Sequence, residues 1–91
     1  MPAIDKVRFS RLCLTHAEFC GINAHYLVAV AQLRSQINDD MDDGKVGPFR
    51  FTQAEWDRNR TNPAFETSFE PEDIGSWRMQ CAVFARMIGV A

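Results

Sequence analysis

The stretch Tyr26-Leu27-Val28-Ala29-Val30-Ala31 is apolar without a break. If it is helical, its side chains point in every direction, so other elements must wrap around it. Gly21 before it and Asn38 after it leave room for a helix from Ala24 to about Gln36, with Asn23 as N-cap. In a chain of 91 residues, one such helix sets the architecture: it becomes the centre, and the rest packs on it. The run is far too short to span a membrane.

The flanking segments supply the shell. From residue 5 to 20, Phe9, Leu12, Cys13, His16, Phe19 and Cys20 recur at helical spacing, and Gly21 suits the C-terminal stop. Thr52-Gln53-Ala54-Glu55 has the form of a capping box and opens a helix that carries Trp56 and ends near Arg60. Residues 61–70 read as a loop. Pro71 suits the first turn of a last helix, with Glu72 and Asp73 at its positive end. Ile74, Trp77, Cys81, Phe84 and Ile88 then form a one-face stripe. Between the second and third helices, Asn38 to Gly44 is an acidic turn, and Phe49-Arg50-Phe51 reads as a very short extended piece. The fold class expected is mainly α. It is one small four-helix domain, residues 1–91, with a central buried helix and a Gly-rich irregular or short β segment.

Charge and cysteine content narrow the function. Twelve acids face ten bases, eight of them Arg, for a net charge of -2. Without a basic excess, nucleic acid is not an expected partner. Residues 14–30 imitate a helix-turn-helix, but no Lys or Arg lies between Gly21 and Leu33 to read a groove. Three cysteines make a poor disulfide framework and suit a reducing compartment. The first residues have no signal-peptide core, so the chain reads as cytoplasmic, or periplasmic if it is a piece of an exported protein. Cys13, His16, Cys20 and His25 have the look of a zinc set. On one helix, however, Cys13 and Cys20 stand about 10.5 Å apart along the axis, too far to share an ion. The acidic turn fails as an EF-hand: with Gly44 at loop position 6, Met41 and Arg50 fall where oxygen ligands are needed. No metal and no cofactor is expected, and nothing in the sequence fixes an oligomeric state.

One ordered constellation remains. An apolar helix ends in Leu33-Arg34-Ser35, and Asn38 follows. Then come Gly44-Lys45-Val46-Gly47-Pro48-Phe49-Arg50-Phe51, the capped helix with Trp56, and Glu70-Pro71-Glu72-Asp73-Ile74. This order resembles the lytic transglycosylase SLT domain, a relative of goose-type lysozyme, over about residues 21–88. Ser35, Asn38, Gly44 and Gly47 match that family's pattern.

The resemblance implies a lysozyme-like domain and a glycan-binding cleft lined by Arg34, Ser35, Asn38, Gly47, Phe49, Arg50 and Phe51. It also implies a loss. The family's catalytic Glu stands immediately before the Ser, and here that residue is Arg34; the family's Gln in the Gly-rich segment is here Arg50. Protonating a glycosidic oxygen requires a carboxyl of raised pKa, and an always-protonated guanidinium cannot hand over a proton. The family's last cleft helix also has no counterpart before Ala91, so the domain is expected to be truncated.

The expected function is therefore a catalytically degenerate, transglycosylase-like module that binds a glycan, a muropeptide or a protein partner. The alternatives are an active peptidoglycan-cleaving enzyme with a displaced acid, and an intracellular adaptor domain whose contact patch surrounds Phe65 and Phe69. Arg34 is expected to pair with Glu18, with a carboxylate of the acidic turn from Asp39 to Asp43, or with Glu55, because an unpaired buried charge is costly.

Overall fold

The computed structural model describes residues 3–89. Helix α1 (Lys6–Cys20) begins where the Asp5 carboxylate accepts from the Val7 and Arg8 amides, and stops at Gly21, whose φ of 72° is left-handed. It buries Phe9, Cys13, Ala17 and Cys20, leaves Leu12 and His16 half-buried, and turns Phe19 outward. Helix α2 (Ala24–Ser35) is capped by Asn23, whose side chain accepts from the His25 amide at 2.8 Å, and it closes on Gln36 at φ 56°.

Six residues further on, β1 (Met41–Asp42) and β2 (Lys45–Val46) form an antiparallel hairpin about Asp43 and Gly44. Both turn residues have positive φ, as the tight hairpin turn requires. Helix α3 (Gln53–Asn59) starts at the expected capping box of Thr52 and Glu55. A second hairpin, β3 (Thr61–Asn62) and β4 (Thr67–Ser68), encloses a 3₁₀ turn at Pro63–Phe65. Another 3₁₀ turn, Pro71–Gly75, precedes α4 (Trp77–Ile88). The molecule is mainly helical, with four α-helices and two small two-stranded sheets.

The central helix is not the expected one. Helix α2 buries only Leu27, Ala31 and Ser35, a stripe of spacing i, i+4, i+8, while Tyr26 is 54% and Leu33 87% exposed. Helix α4 instead buries Gln80, Cys81, Ala82, Val83, Phe84 and Ala85 consecutively, which is its full circumference. It runs parallel to α1: Phe9 lies 5.9 Å from Trp77 between ring centres, the Cys13 and Cys81 sulfurs are 4.0 Å apart, and Cys20 abuts Gly89.

Three local expectations also change. Pro71 opens a separate 3₁₀ turn, because Ser76 provides the N-cap of α4 by accepting from the Met79 amide. The expected loop at 61–70 contains the second hairpin. Phe49-Arg50-Phe51 is a turn rather than an extended piece: Arg50 has φ 52°, and Phe51 and Val46 exchange two backbone hydrogen bonds of 2.8 and 3.0 Å.

Gln80 holds this turn to the core. Its Nε2 donates to the Val46 carbonyl at 2.8 Å and the Ile74 carbonyl at 2.7 Å, and its Oε1 accepts from the Phe49 amide at 3.2 Å. Gly47 packs so closely on this amide that an added Cβ would sit 2.3 Å from Nε2. Above it, Phe49 stacks on Phe84 at 4.6 Å, and Phe51 meets Trp56 edge-on at 5.3 Å.

Candidate functional site

The last turn of α2, the first hairpin and the start of α3 enclose a cleft of about 420 Å³, lined by Arg34, Asp42, Asp43, Lys45, Arg50 and Glu55. Of the seven residues expected to line it, Arg34 and Arg50 do so.

The other five build its frame. Ser35 is buried, its Oγ 2.7 Å from the Pro48 carbonyl oxygen and 3.0 Å from that of Ala31, and it accepts from the Asn38 amide at 3.3 Å. That set of contacts ties the Gly-rich segment to the end of α2. Asn38 is half-buried and bridges to Ala3 through its backbone. Gly47 is covered by Gln80, and Phe49 and Phe51 are core residues. Aromatic faces at these two positions are thus turned away from any cleft ligand.

The two arginines differ in what they are free to do. Arg50 is engaged: its Nη1 lies 2.6 Å from the Asp40 carboxylate and donates to the carbonyls of Asp40 (2.8 Å) and Gly47 (3.3 Å), and the side chain is only 11% exposed. This is the ion pair expected of Arg34, made one loop away. Arg34 forms no ion pair within 4 Å with any described residue. One Nη1 donates to the Phe49 carbonyl at 3.0 Å, and the guanidinium lies 5.4 Å from the centre of the Phe84 ring. The side chain is exposed, so it escapes the cost of an unpaired buried charge.

Glu55 is held by its own capping box. Its Oε1 accepts from the Thr52 amide at 3.0 Å and the Thr52 hydroxyl at 3.2 Å. The backbone bond holds its pKa below the ordinary value against opposing desolvation, and the hydroxyl and the charges of Arg34 and Arg58 add to the depression. Asp39 shifts the other way, raised by burial and then by Asp40, but it lines a separate recess with Asp5 and Arg78.

Lys45 went unnoticed in the sequence. The signal was Asp43-Gly44, a strong two-residue hairpin turn, which sets Lys45 opposite Asp42. The suspected metal set does not converge. His16 Nδ1 lies 3.2 Å from Arg86 Nη1, Cys13 faces Cys81, and among the described residues no group of three His, Cys, Asp or Glu side chains could hold an ion. Phe65 and Phe69 are half-buried against the core.

No protein-family model, curated protein or solved structure matches this chain. The cleft's chemistry is that of its own groups. The Arg34 guanidinium and the Lys45 ammonium can donate to carboxylates, and the three carboxylates can accept from amines and hydroxyls.

Proposed function

We propose that the domain is a non-catalytic, transglycosylase-like binding module whose cleft holds a polar ligand bearing both carboxylate and amine or hydroxyl groups, of which a muropeptide is the type. The observation that carries this reading is the position of Arg34. It stands where the resembled family keeps its acid, faces an open cleft, and has its guanidinium free of any carboxylate within 4 Å among the described residues. Arg34 and Lys45 suit the carboxylates of such a ligand, and Asp42, Asp43 and Glu55 its amine and hydroxyls. A displaced acid finds little support at Glu55, whose pKa is shifted downward.

Titration of the isotopically labelled chain with a muropeptide, followed by NMR, tests the proposal. Shifts clustered at Arg34, Lys45 and Glu55, lost in Arg34→Ala, are expected. Absence of saturable shifts there sinks it. Cell-wall lysis by the unaltered protein would restore the enzymatic alternative.

A protein-interaction role is the second reading, favoured by the apolar strip of Tyr26, Ala29 and Leu33 exposed along α2. Sedimentation that changes with protein concentration, and reverts in Leu33→Asp, would support it.

A further inference from the structure

A second site lies on the opposite side of the chemistry. Helices α1 and α4 run parallel, so their positive N-terminal poles lie at the same end of the molecule. Between them is a groove of about 340 Å³ lined by Arg8, Arg11, Leu12, Thr15, Trp77 and Arg78. No acid lines it, although Arg8, Trp77 and Arg78 also border the adjoining recess that carries Asp5 and Asp39.

The arginines of this groove are unlike the rest. Arg34, Arg50, Arg60 and Arg86 each donate to backbone carbonyls, and Arg50 and Arg60 also meet a carboxylate. Among the described residues, the guanidinium groups of Arg8, Arg11, Arg58 and Arg78 make no hydrogen bond and no ion pair, and three of these four line this one groove. Their placement is locally unfavourable. The Asp5 carboxylate caps α1, but neither helix has an acid within its first turn, and those turns carry Lys6, Arg8 and Arg78. Arg8 and Arg11, three apart on one helix face, repel each other. Arg78 is braced with its guanidinium carbon 4.4 Å from the centre of the Trp77 ring, and Trp77 is itself held against Phe9.

We infer that this groove binds a diphosphate-class anion. Three guanidinium groups exceed what one carboxylate can neutralise. Two linked phosphoryl groups carry the matching charge, and their oxygens suit the planar guanidinium fork. The same chemistry is offered by free pyrophosphate and by a nucleoside diphosphate.

Calorimetric titration of the whole chain with inorganic pyrophosphate, at about 50 mM salt to limit screening, tests the inference. One saturable site is expected, and Arg8→Gln or Arg78→Gln each weakens it by about tenfold. Arg58→Gln, exposed and outside the groove, leaves it unchanged. Matching urea midpoints establish that the variants fold. ADP binding as tightly as pyrophosphate assigns recognition to the phosphoryl groups alone, and tighter ADP binding adds the nucleoside. Failure to saturate overturns the site, as does equal weakening by Arg58→Gln, equal displacement by sulfate at matched ionic strength (an adventitious ion only), or tighter binding of hexaglutamate.

Discussion

Replacing Gln80 with Leu separates polar bracketing from packing, because the two side chains are similar in size. The residue is fully buried and satisfies backbone groups from three places: the hairpin at Val46, the turn at Phe49 and the 3₁₀ segment at Ile74. The Val46 carbonyl keeps a partner in Phe51, whereas the Phe49 amide loses its Gln80 acceptor. An orphaned buried amide costs about 1–3 kcal/mol, and each lost carbonyl bond about 0.5–1.5. The sum is about 2–6 kcal/mol, set against a total of about 5–14 for a domain of this length. At about 4–8 °C per kcal/mol, the thermal midpoint falls by at least about 8 °C.

Urea unfolding of Gln80→Leu followed by circular dichroism measures this cost. A partner variant makes the test sharper. Gln80→Glu keeps the acceptor for Phe49 but, ionised, sets a carboxylate against two carbonyl oxygens. Its folded pKa is therefore raised, so its stability is greatest below the ordinary carboxylate pKa and falls as pH rises through the folded value. A Gln80→Leu protein within about 0.5 kcal/mol of the parent, together with a Gln80→Glu protein insensitive to pH, would refute the claim that hydrogen bonds at this amide hold the turn.

Three further outcomes follow from neighbouring contacts. His16 is held below its ordinary pKa of 6.5 by burial first and by Arg86 second. Its contribution is present above that value and lost as pH falls through the lower folded one, so the urea midpoint drops on acidification below pH 6.5 and the drop shrinks in His16→Gln. Asp40→Asn leaves the largely buried Arg50 without its counter-charge and costs about 1–2 kcal/mol by urea unfolding, less than for a fully buried pair because Asp40 is 42% exposed. Thr52→Ala removes the side-chain half of the α3 cap and costs about 0.5–2 kcal/mol in thermal melts.

The parts of the fold that were legible are those fixed by neighbours in sequence. Asp5 aside, the caps at Asn23 and Thr52 and the stop at Gly21 stood in the text, because each satisfies backbone groups within four residues. The identity of the central helix was not legible. Tyr26 to Ala31 has the more apolar surface, yet burial goes to Gln80–Ala85. Size and partner fit favour α4: Cys81, Ala82 and Ala85 are small, as are the buried Cys13, Ala17 and Cys20 of α1, and Cys13 meets Cys81 with sulfurs 4.0 Å apart. Gln80 adds a polar tie that hydropathy scores as a defect. The first hairpin was legible in principle, through Asp43-Gly44, but the flanking aspartates suit an irregular acidic turn equally well.

The cleft was legible as positions and not as roles. Arg34 and Arg50 line one cleft, but which of them is free depends on a turn only the fold supplies. Arg50 at φ 52° swings back over the loop to Asp40, and the pair locks the hairpin that carries Asp42, Asp43 and Lys45. In the proposed module, that arrangement divides the work. Arg50 fixes the wall, and Arg34 and Lys45 are left to meet a ligand. It also leads to a difference in behaviour. Arg50→Gln should disturb muropeptide binding through the wall and lower stability with it, while Arg34→Gln should weaken binding with little change in the unfolding midpoint, since the exposed Arg34 makes a single hydrogen bond, to the Phe49 carbonyl, among the described residues. Parallel titration and urea unfolding of the two variants distinguish these effects; equal loss of stability in both would show that Arg34, too, is part of the frame.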